Sequence, residues 1–145
     1  MTSYTSSLRL ILPDSGALVN TWGTVLNSSL INLIDQSVAG YTSVVMADAD
    51  YTLTTANGSS DQSRSAILVF TGTNTAIRNV IAPGVSKKYT ITNNTTGGFS
   101  IVIKVSGGGG VTIPNGTTAD VWTDGTNFYS STPTLHLFQP HLLIA

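Results

Sequence analysis

Residues 89–105 read YTITNNTTGGFSIVIKV, and this stretch decides the fold. Apolar and polar residues alternate in its first four positions and again over residues 99–105, where Phe99, Ile101, Ile103 and Val105 would share one face. An alternation with a period of two is typical of a strand with one buried face. The Asn- and Gly-rich residues between the two runs favour a turn. The stretch therefore predicts two strands separated by a turn.

The same pattern continues on both sides of this stretch. The other predicted strands are Leu8–Leu12, which ends at Pro13, Thr42–Met46, Tyr51–Thr55, Ser65–Phe70, Ile77–Ile81, Val111–Ile113, Thr118–Thr123 and one that begins at Phe128. Asn57-Gly58, Asn115-Gly116 and Asp124-Gly125 are turn signals, and Gly107–Gly110 suits a hairpin loop. Strands at roughly eight- to twelve-residue intervals indicate a mainly-β chain, a single antiparallel β-sandwich or jelly-roll-like domain. No internal repeat is evident in the sequence.

One amphipathic helix is predicted ahead of these strands, over Thr21–Val38. Its apolar residues recur at spacings of three and four and fall on one face: Trp22, Leu26, Leu30, Leu33 and Ile34. Gly40 suits a left-handed position after the helix end. The chain then divides into an N-terminal strand and helix for assembly or anchoring (residues 1–40), a β domain (41–131) and a C-terminal arm (132–145).

The arm is apolar, and such a segment must be buried somewhere. Its large apolar residues include Leu135, Leu137, Phe138, Leu142 and Leu143. The arm is either a last strand of the chain's own sheet or a segment laid on a neighbouring subunit. The candidate interface therefore combines these residues with Trp22, Leu26, Leu30 and Leu33 of the helix.

Composition narrows the function. Only 9% of the 145 residues are charged, the net charge is −1, all seven acidic residues are Asp, and Cys is absent. Six scattered basic residues do not make the dense basic face that nucleic-acid binding needs. There are 22 Thr residues, which favour strands. A weakly charged chain with abundant apolar residues tends to associate, so we expect it to act within an assembly.

Catalytic and metal-binding patterns are missing. His136 and His141 are the only imidazoles, and both lie in the apolar arm without a third ligand. Asp48 and Asp50 precede a predicted strand rather than a calcium loop, so a turn is expected there. The prediction is no enzyme, no cofactor and no metal. A signal peptide and a membrane-length apolar run are also absent, which predicts no membrane insertion.

Exposed aromatic residues on a β scaffold can stack against sugar rings. Trp122 and Tyr129 are the candidates for glycan contact, and Tyr41 is a further one, with Asp and Asn nearby as hydrogen-bonding groups. Packing in the core is the alternative for each of them.

Several short motifs resemble tailed-bacteriophage tail-fibre proteins. They are SLRLILP at 7–13, NTWGTVLN at 20–27, SKKYTI at 86–91, NTTGGF at 94–99, VTIPNG at 111–116 and DGTN at 124–127. The resemblance implies a non-enzymatic virion component, often trimeric, that anchors an appendage or contacts the host. It implies location in the virion after synthesis in the host bacterial cytoplasm. Similar β modules also decorate capsids.

One departure from the family affects the expected role. Tail fibres usually continue into a long shaft, whereas here the apolar arm follows soon after DGTN at 124–127. The leading hypothesis is a homotrimeric tail-fibre or short appendage component that contacts other virion proteins. A capsid decoration or cement protein is the alternative, and a module that binds host-surface glycans is a third reading.

Overall fold

The computed structural model describes residues 2–131, so the C-terminal arm and its candidate residues Leu135, Leu137, Phe138, Leu142 and Leu143 lie outside the described residues. The N-terminal helix consists of α1 (Trp22–Leu26), a π turn (Asn27–Ile31) and α2 (Asn32–Ala39). A short 3₁₀ turn covers Gln62–Arg64. The strands are β1 (Ser3–Tyr4), β2 (Ile11–Leu12), β3 (Tyr41–Met46), β4 (Tyr51–Thr52), β5 (Ile67–Gly72), β6 (Arg78–Ala82), β7 (Ser86–Asn93), β8 (Ile101–Val105), β9 (Val111–Ile113), β10 (Thr118–Asp124) and β11 (Phe128–Ser130).

The strands form two main sheets, and the chain is mainly β as predicted. One sheet has the order β11-β10-β7-β5-β3, the other has the order β4-β6-β8-β9, and β1 and β2 form a separate small hairpin. From β3 to β8 the chain alternates between the two sheets. It therefore winds three times, and each turn contributes one strand to each sheet.

The expectation of an antiparallel sandwich is wrong for this wound part. β3, β5 and β7 are parallel to one another, and so are β4, β6 and β8. Within residues 2–131, antiparallel pairing is confined to β8–β9, β7–β10, β10–β11 and the hairpin β1–β2. Alternation fixes which side chains face the core but not the direction of the neighbouring strand. The apolar run in β5 was the available signal, because near-continuous apolar sequence is typical of parallel strands.

The turn predicted between residues 93 and 98 changes sheets rather than closing a hairpin. β7 lies in the five-stranded sheet and β8 in the four-stranded one. By contrast, Gly107–Gly110 does belong to the connection of an antiparallel hairpin, β8–β9, as predicted. The inward-facing residues of both sheets form one core: Val44, Met46, Leu53, Leu68, Phe70, Val80, Ala82, Tyr89, Ile91, Ile101, Ile103, Val105, Ile113, Val121 and Phe128.

The predicted helix is present with nearly the predicted bounds. Trp22–Ala39 forms one helix of 18 residues, interrupted by the π turn. Gly40 is extended, with φ −68° and ψ 142°, so the left-handed end predicted for it is wrong. Glycine is required there for a different reason, since a Cβ would lie 2.4 Å from the carbonyl oxygen of Gln36. The helix thus passes directly into β3.

A buried charge cluster attaches the N-terminal segment to the first turn of the winding. Asp61 Oδ2 accepts hydrogen bonds from Arg9 Nη2 at 2.7 Å and from Arg64 Nη2 at 3.3 Å. The Ala56 carbonyl accepts from both guanidinium groups, and the Leu8 carbonyl accepts from Arg64. Arg64 is fully buried. A single carboxylate therefore compensates two cations and fixes residues 8–9 against the loop before β5.

Asp61→Asn should destabilise the fold strongly. The substitution leaves two guanidinium groups close together without their carboxylate, and loss of one partner of a buried ion pair costs about 3–5 kcal/mol. Urea unfolding followed by circular dichroism measures the change. Asp35→Asn, at an exposed helix position, is the matched control and should leave the midpoint unchanged. Equal midpoints for the two variants would contradict this role for the cluster.

Candidate interaction surfaces

The helix presents an apolar stripe that the rest of the described chain leaves uncovered. Ile31, Ile34 and Val38 are 50%, 42% and 75% exposed. Their spacings of three and four residues place them on one helix face. We call these three residues the helix seam. All three are β-branched, and β-branched residues at successive core positions of a coiled coil favour trimers or tetramers over dimers.

The seam differs from the face predicted from the sequence. Leu33 is 2% exposed and packs inside the protomer, Leu26 and Leu30 are half-buried, and Trp22 is exposed. Within α2, Leu33 faces the protomer and Ile34 and Val38 face outward, while the π turn before them offsets the residues that precede it by its extra residue per turn. The contribution of these four residues to an interface stays a prediction. Ile31 and Val38 were missed, although their spacing to Ile34 was visible in the sequence.

The two candidate glycan residues meet on the outward face of the five-stranded sheet. Trp122 and Tyr129 lie on paired strands, and their rings stack with centroids 4.5 Å apart and planes 27° apart. Both are exposed and lie outside the core. The Tyr129 hydroxyl donates to Asp124 Oδ2 at 3.2 Å, which fixes the orientation of that ring. Tyr41 is exposed as well, but it lies on β3 at the opposite edge of the sheet.

Hydrogen-bonding groups surround this aromatic pair. Lys88 is opposite Trp122 in the β7–β10 register, and Asp120 is opposite Thr90. Thr90 Oγ1 donates to Asp120 Oδ1 at 2.6 Å. Next to them lies an open groove of about 210 Å³ between the helix end and the sheet, and it is lined by Ser37, Val38, Ala66, Lys88, Tyr89 and Thr90. The groove extends from Val38 of the helix seam to Lys88, which lies opposite Trp122 in the β7–β10 register.

Lys87 precedes Lys88 on β7, and its amine lies close enough to the charge cluster for Asp61, Arg64 and Arg9 to influence its pKa. Its Nζ donates to the carbonyls of Ser65 and Lys88, both at 3.1 Å, and lies 4.1 Å from the centre of the Tyr89 ring. Burial lowers the pKa of Lys87 to about 8. Burial also raises the pKa of Tyr89. The two carbonyls and the ring therefore offset only part of the cost of burying the Lys87 charge.

The carboxylates of Asp48 and Asp50 bind the next turn of the winding. Asp48 accepts from the Thr75 backbone N–H at 2.8 Å, from Thr75 Oγ1 at 2.7 Å and from Arg78 Nη2 at 2.8 Å. Asp50 accepts from the backbone and side chain of Asn79. The two side chains thus hold a corner of the winding, which agrees with the turn expected there. Nowhere in residues 2–131 do three His, Cys, Asp or Glu side chains form a group that could hold a metal ion.

Comparisons with known proteins add no assignment to these surfaces. No protein-family model, curated protein or solved structure matches the chain. Within the described part of the chain, no helix is long and apolar enough to cross a membrane. The function must therefore be inferred from the surfaces themselves and from the motifs in the sequence.

Asp48 should make the stability of the fold sensitive to acid. Hydrogen bonds from the Thr75 backbone and side chain, followed by that from Arg78, lower the pKa of Asp48 from 3.8 to about 2. A carboxyl with a lowered folded-state pKa stabilises the fold above its unfolded-state pKa, and this contribution is lost as the pH falls through the folded value. We expect the advantage of the wild type over Asp48→Asn to shrink between about pH 4 and pH 2.

Unfolding free energies measured across this pH range test the assignment. The wild-type and Asp48→Asn curves should converge as the pH approaches the folded-state pKa of about 2. The control variant Asp35→Asn should run parallel to the wild type. A constant difference between wild type and Asp48→Asn over the whole range would show that the Asp48 contacts do not act through the charge.

Proposed function

We propose that this protein is a non-enzymatic structural component of a bacteriophage virion that assembles as a homotrimer in a tail fibre or short appendage. The observation that carries self-assembly is the exposed helix seam of Ile31, Ile34 and Val38. The phage assignment rests on the motifs at residues 7–13, 20–27, 86–91, 94–99, 111–116 and 124–127. The partner is another copy of the same chain, because copies arranged around a three-fold axis bury their seams against one another.

Covering the seam would remove apolar side chains from water. Complete burial of a fully exposed Ile or Val side chain contributes about 1.5–3 kcal/mol, and each seam residue would gain part of this amount because its exposed fraction is 42–75%. Three copies of the seam would meet at the same axis, so each protomer contributes three such side chains. The β-branched pattern at these positions favours a trimer or a tetramer over a dimer.

The distribution of charge also supports a surface that meets other protein surfaces. Asp61, Arg9 and Arg64 are committed to one buried cluster, and Asp48 and Arg78 form a corner ion pair. The charge left for the outer surface is therefore lower than the 9% of the whole sequence suggests. Such a surface has little electrostatic repulsion to keep copies apart.

Two other roles remain as proposals. A capsid decoration protein would use the same seam, and its copy number distinguishes it, since hundreds of copies per virion indicate the shell and about a dozen an appendage. A glycan-binding role is favoured by one specific observation, the exposed stack of Trp122 and Tyr129 with Lys88 and Asp120 on neighbouring positions. This role is compatible with a place on a virion surface.

A charged residue in the seam should abolish the trimer. The wild type is expected to have three times the chain mass of 15.1 kDa in solution. Ile34→Asp and Val38→Asp bring like charges together at the axis, so both variants should be monomeric. The matched control is Asn32→Asp, which places the same charge at an exposed position on another part of the helix. Sedimentation or light scattering measures the mass.

A wild-type protein that stays monomeric at high concentration would overturn the proposal of self-assembly. A trimer that persists in both seam variants would instead leave self-assembly in place and assign it to another surface. Normal circular dichroism spectra of the variants establish that each one has folded.

Trp122→Ala should reduce glycan binding if the aromatic pair is the binding surface. Loss of one stacking ring is expected to weaken binding by about tenfold, which corresponds to about 1.4 kcal/mol. Binding of fluorescently labelled protein to an array of bacterial surface glycans measures the effect. Tyr41→Ala removes an exposed aromatic ring at the far edge of the same sheet and is the matched control. An array without hits for the wild type would count against this role.

A further inference from the structure

The edge of the five-stranded sheet formed by β3 lacks the usual protection against pairing with another strand. Among the described residues β3 pairs with β5 on one side and with no strand on the other. It has six residues and contains no Lys, Pro or charged side chain. An exposed edge of this kind is a template for a further strand. The other outer strands are short by comparison: β4 has two residues, while β9 and β11 have three each.

The backbone groups of this edge can be assigned residue by residue. The Gly40 carbonyl accepts from the Ile67 N–H at 2.9 Å. In a parallel pair, alternate residues direct both backbone groups to the same neighbour. Thr42, Val44 and Met46 therefore bond to β5, whereas the N–H and C=O groups of Tyr41, Ser43 and Val45 face away from the sheet. The side chains of Tyr41 and Val45 are 63% and 71% exposed.

We propose that this edge binds residues 134–139 of a neighbouring copy of the chain as an added strand. The inference rests on the proposed self-assembly and names a second contact within it. The segment reads TLHLFQ and lies between Pro133 and Pro140. Proline cannot donate to a sheet ladder, so the two prolines limit a strand here to six residues, the length of β3. Leu135 and Leu137 would share one face and cover Tyr41 and Val45.

The distance across the sheet decides between the chain's own segment and that of a neighbour. β11 and β3 are the two opposite edges of the five-stranded sheet, four strand spacings apart, or roughly 19 Å. A strand added outside β3 lies one spacing further, at roughly 24 Å. From Ser131 to Thr134 the chain spans at most about 11 Å. The segment cannot reach the β3 edge of its own chain, so the strand must come from another copy.

This contact is compatible with a closed trimer. Each protomer would supply one segment and accept one, and such a head-to-tail contact closes into a ring when the rotation between neighbours is 120°. The segment carries no Asp, Glu, Lys or Arg, so no charge needs to be buried when the strand is added. The helix seam and the β3 edge are joined through Gly40, so both contacts arise on the same part of each protomer.

Disulfide trapping tests the proposal, because the natural sequence contains no Cys. One chain carries Ser43→Cys and a second, differently tagged chain carries Leu137→Cys, and the two are co-expressed and purified through both tags. Directly opposed strand residues have Cα atoms at about 4.5–5.5 Å, which is within disulfide range. We expect a covalent product of two chains under oxidation, in at least tenfold excess over the control. Leu135→Cys in place of Leu137→Cys tests the neighbouring register.

The control pairs the Leu137→Cys chain with Thr112→Cys, at an exposed position on β9, the edge of the other sheet. Equal trapping by Ser43→Cys and Thr112→Cys would overturn the proposal. A chain carrying both Ser43→Cys and Leu137→Cys that forms its disulfide only within itself would also overturn it, since the strand would then come from the same copy.

A backbone variant separates strand addition from simple proximity. Val45→Pro removes a free-edge N–H without removing a bond to β5, whereas Val45→Thr keeps that N–H. Trapping through Ser43→Cys should be lost with Val45→Pro and retained with Val45→Thr. Equal trapping in both variants contradicts strand addition. If trapping fails while the wild type is trimeric and Ile34→Asp is monomeric, strand addition at β3 is contradicted and self-assembly through the helix seam is retained. If the wild type itself is monomeric, the proposed function is contradicted.

Discussion

The parallel stacking of successive turns is the constraint on which the rest of this structure depends. Each turn places one strand in each sheet. Each of these strands then hydrogen-bonds to the strand that the next turn adds to the same sheet. Inward-facing residues of both sheets then meet in one core, and the corners between sheets are held by side chains such as Asp48, which binds Thr75 and Arg78. Polar residues inside this winding need partners of their own. Asn93 is fully buried, and its side chain donates to the carbonyls of Phe99 and Ile113.

A winding of this kind has two different ends. After β8 the chain reverses, and β9, β10 and β11 complete the sheets with antiparallel strands. Before β3 no such closure exists among the described residues: the helix leads straight into an edge strand, and the buried cluster of Arg9, Asp61 and Arg64 ties the N-terminal segment to the adjoining loop. The apolar helix seam and the uncovered β3 edge both lie at this first end. Their shared position is the reason for connecting both of them with self-assembly.

Prediction from the sequence succeeded where the information is local. The period-two alternation located the main strands, and the spacing of apolar residues located the helix to within one residue at each end. Gly58 and Gly125, the second residues of the predicted turns Asn57-Gly58 and Asp124-Gly125, both have positive φ, as the turn chemistry requires. Trp122 and Tyr129 were predicted as separate candidates for glycan contact, and that role stays a prediction; the contact between their rings depends on the β10–β11 register.

The sequence by itself determined that the chain is mainly β, where its strands and helix lie, and that its charge is sparse. Only the tertiary structure decided that the strands of successive turns are parallel, because alternation reports the buried face of a strand and not the direction of its neighbour. Tertiary structure also decided which helix residues stay exposed. Packing against the body of the protomer buries Leu33 and leaves Ile31, Ile34 and Val38 uncovered, and the π turn offsets the helix face before it from the face after it.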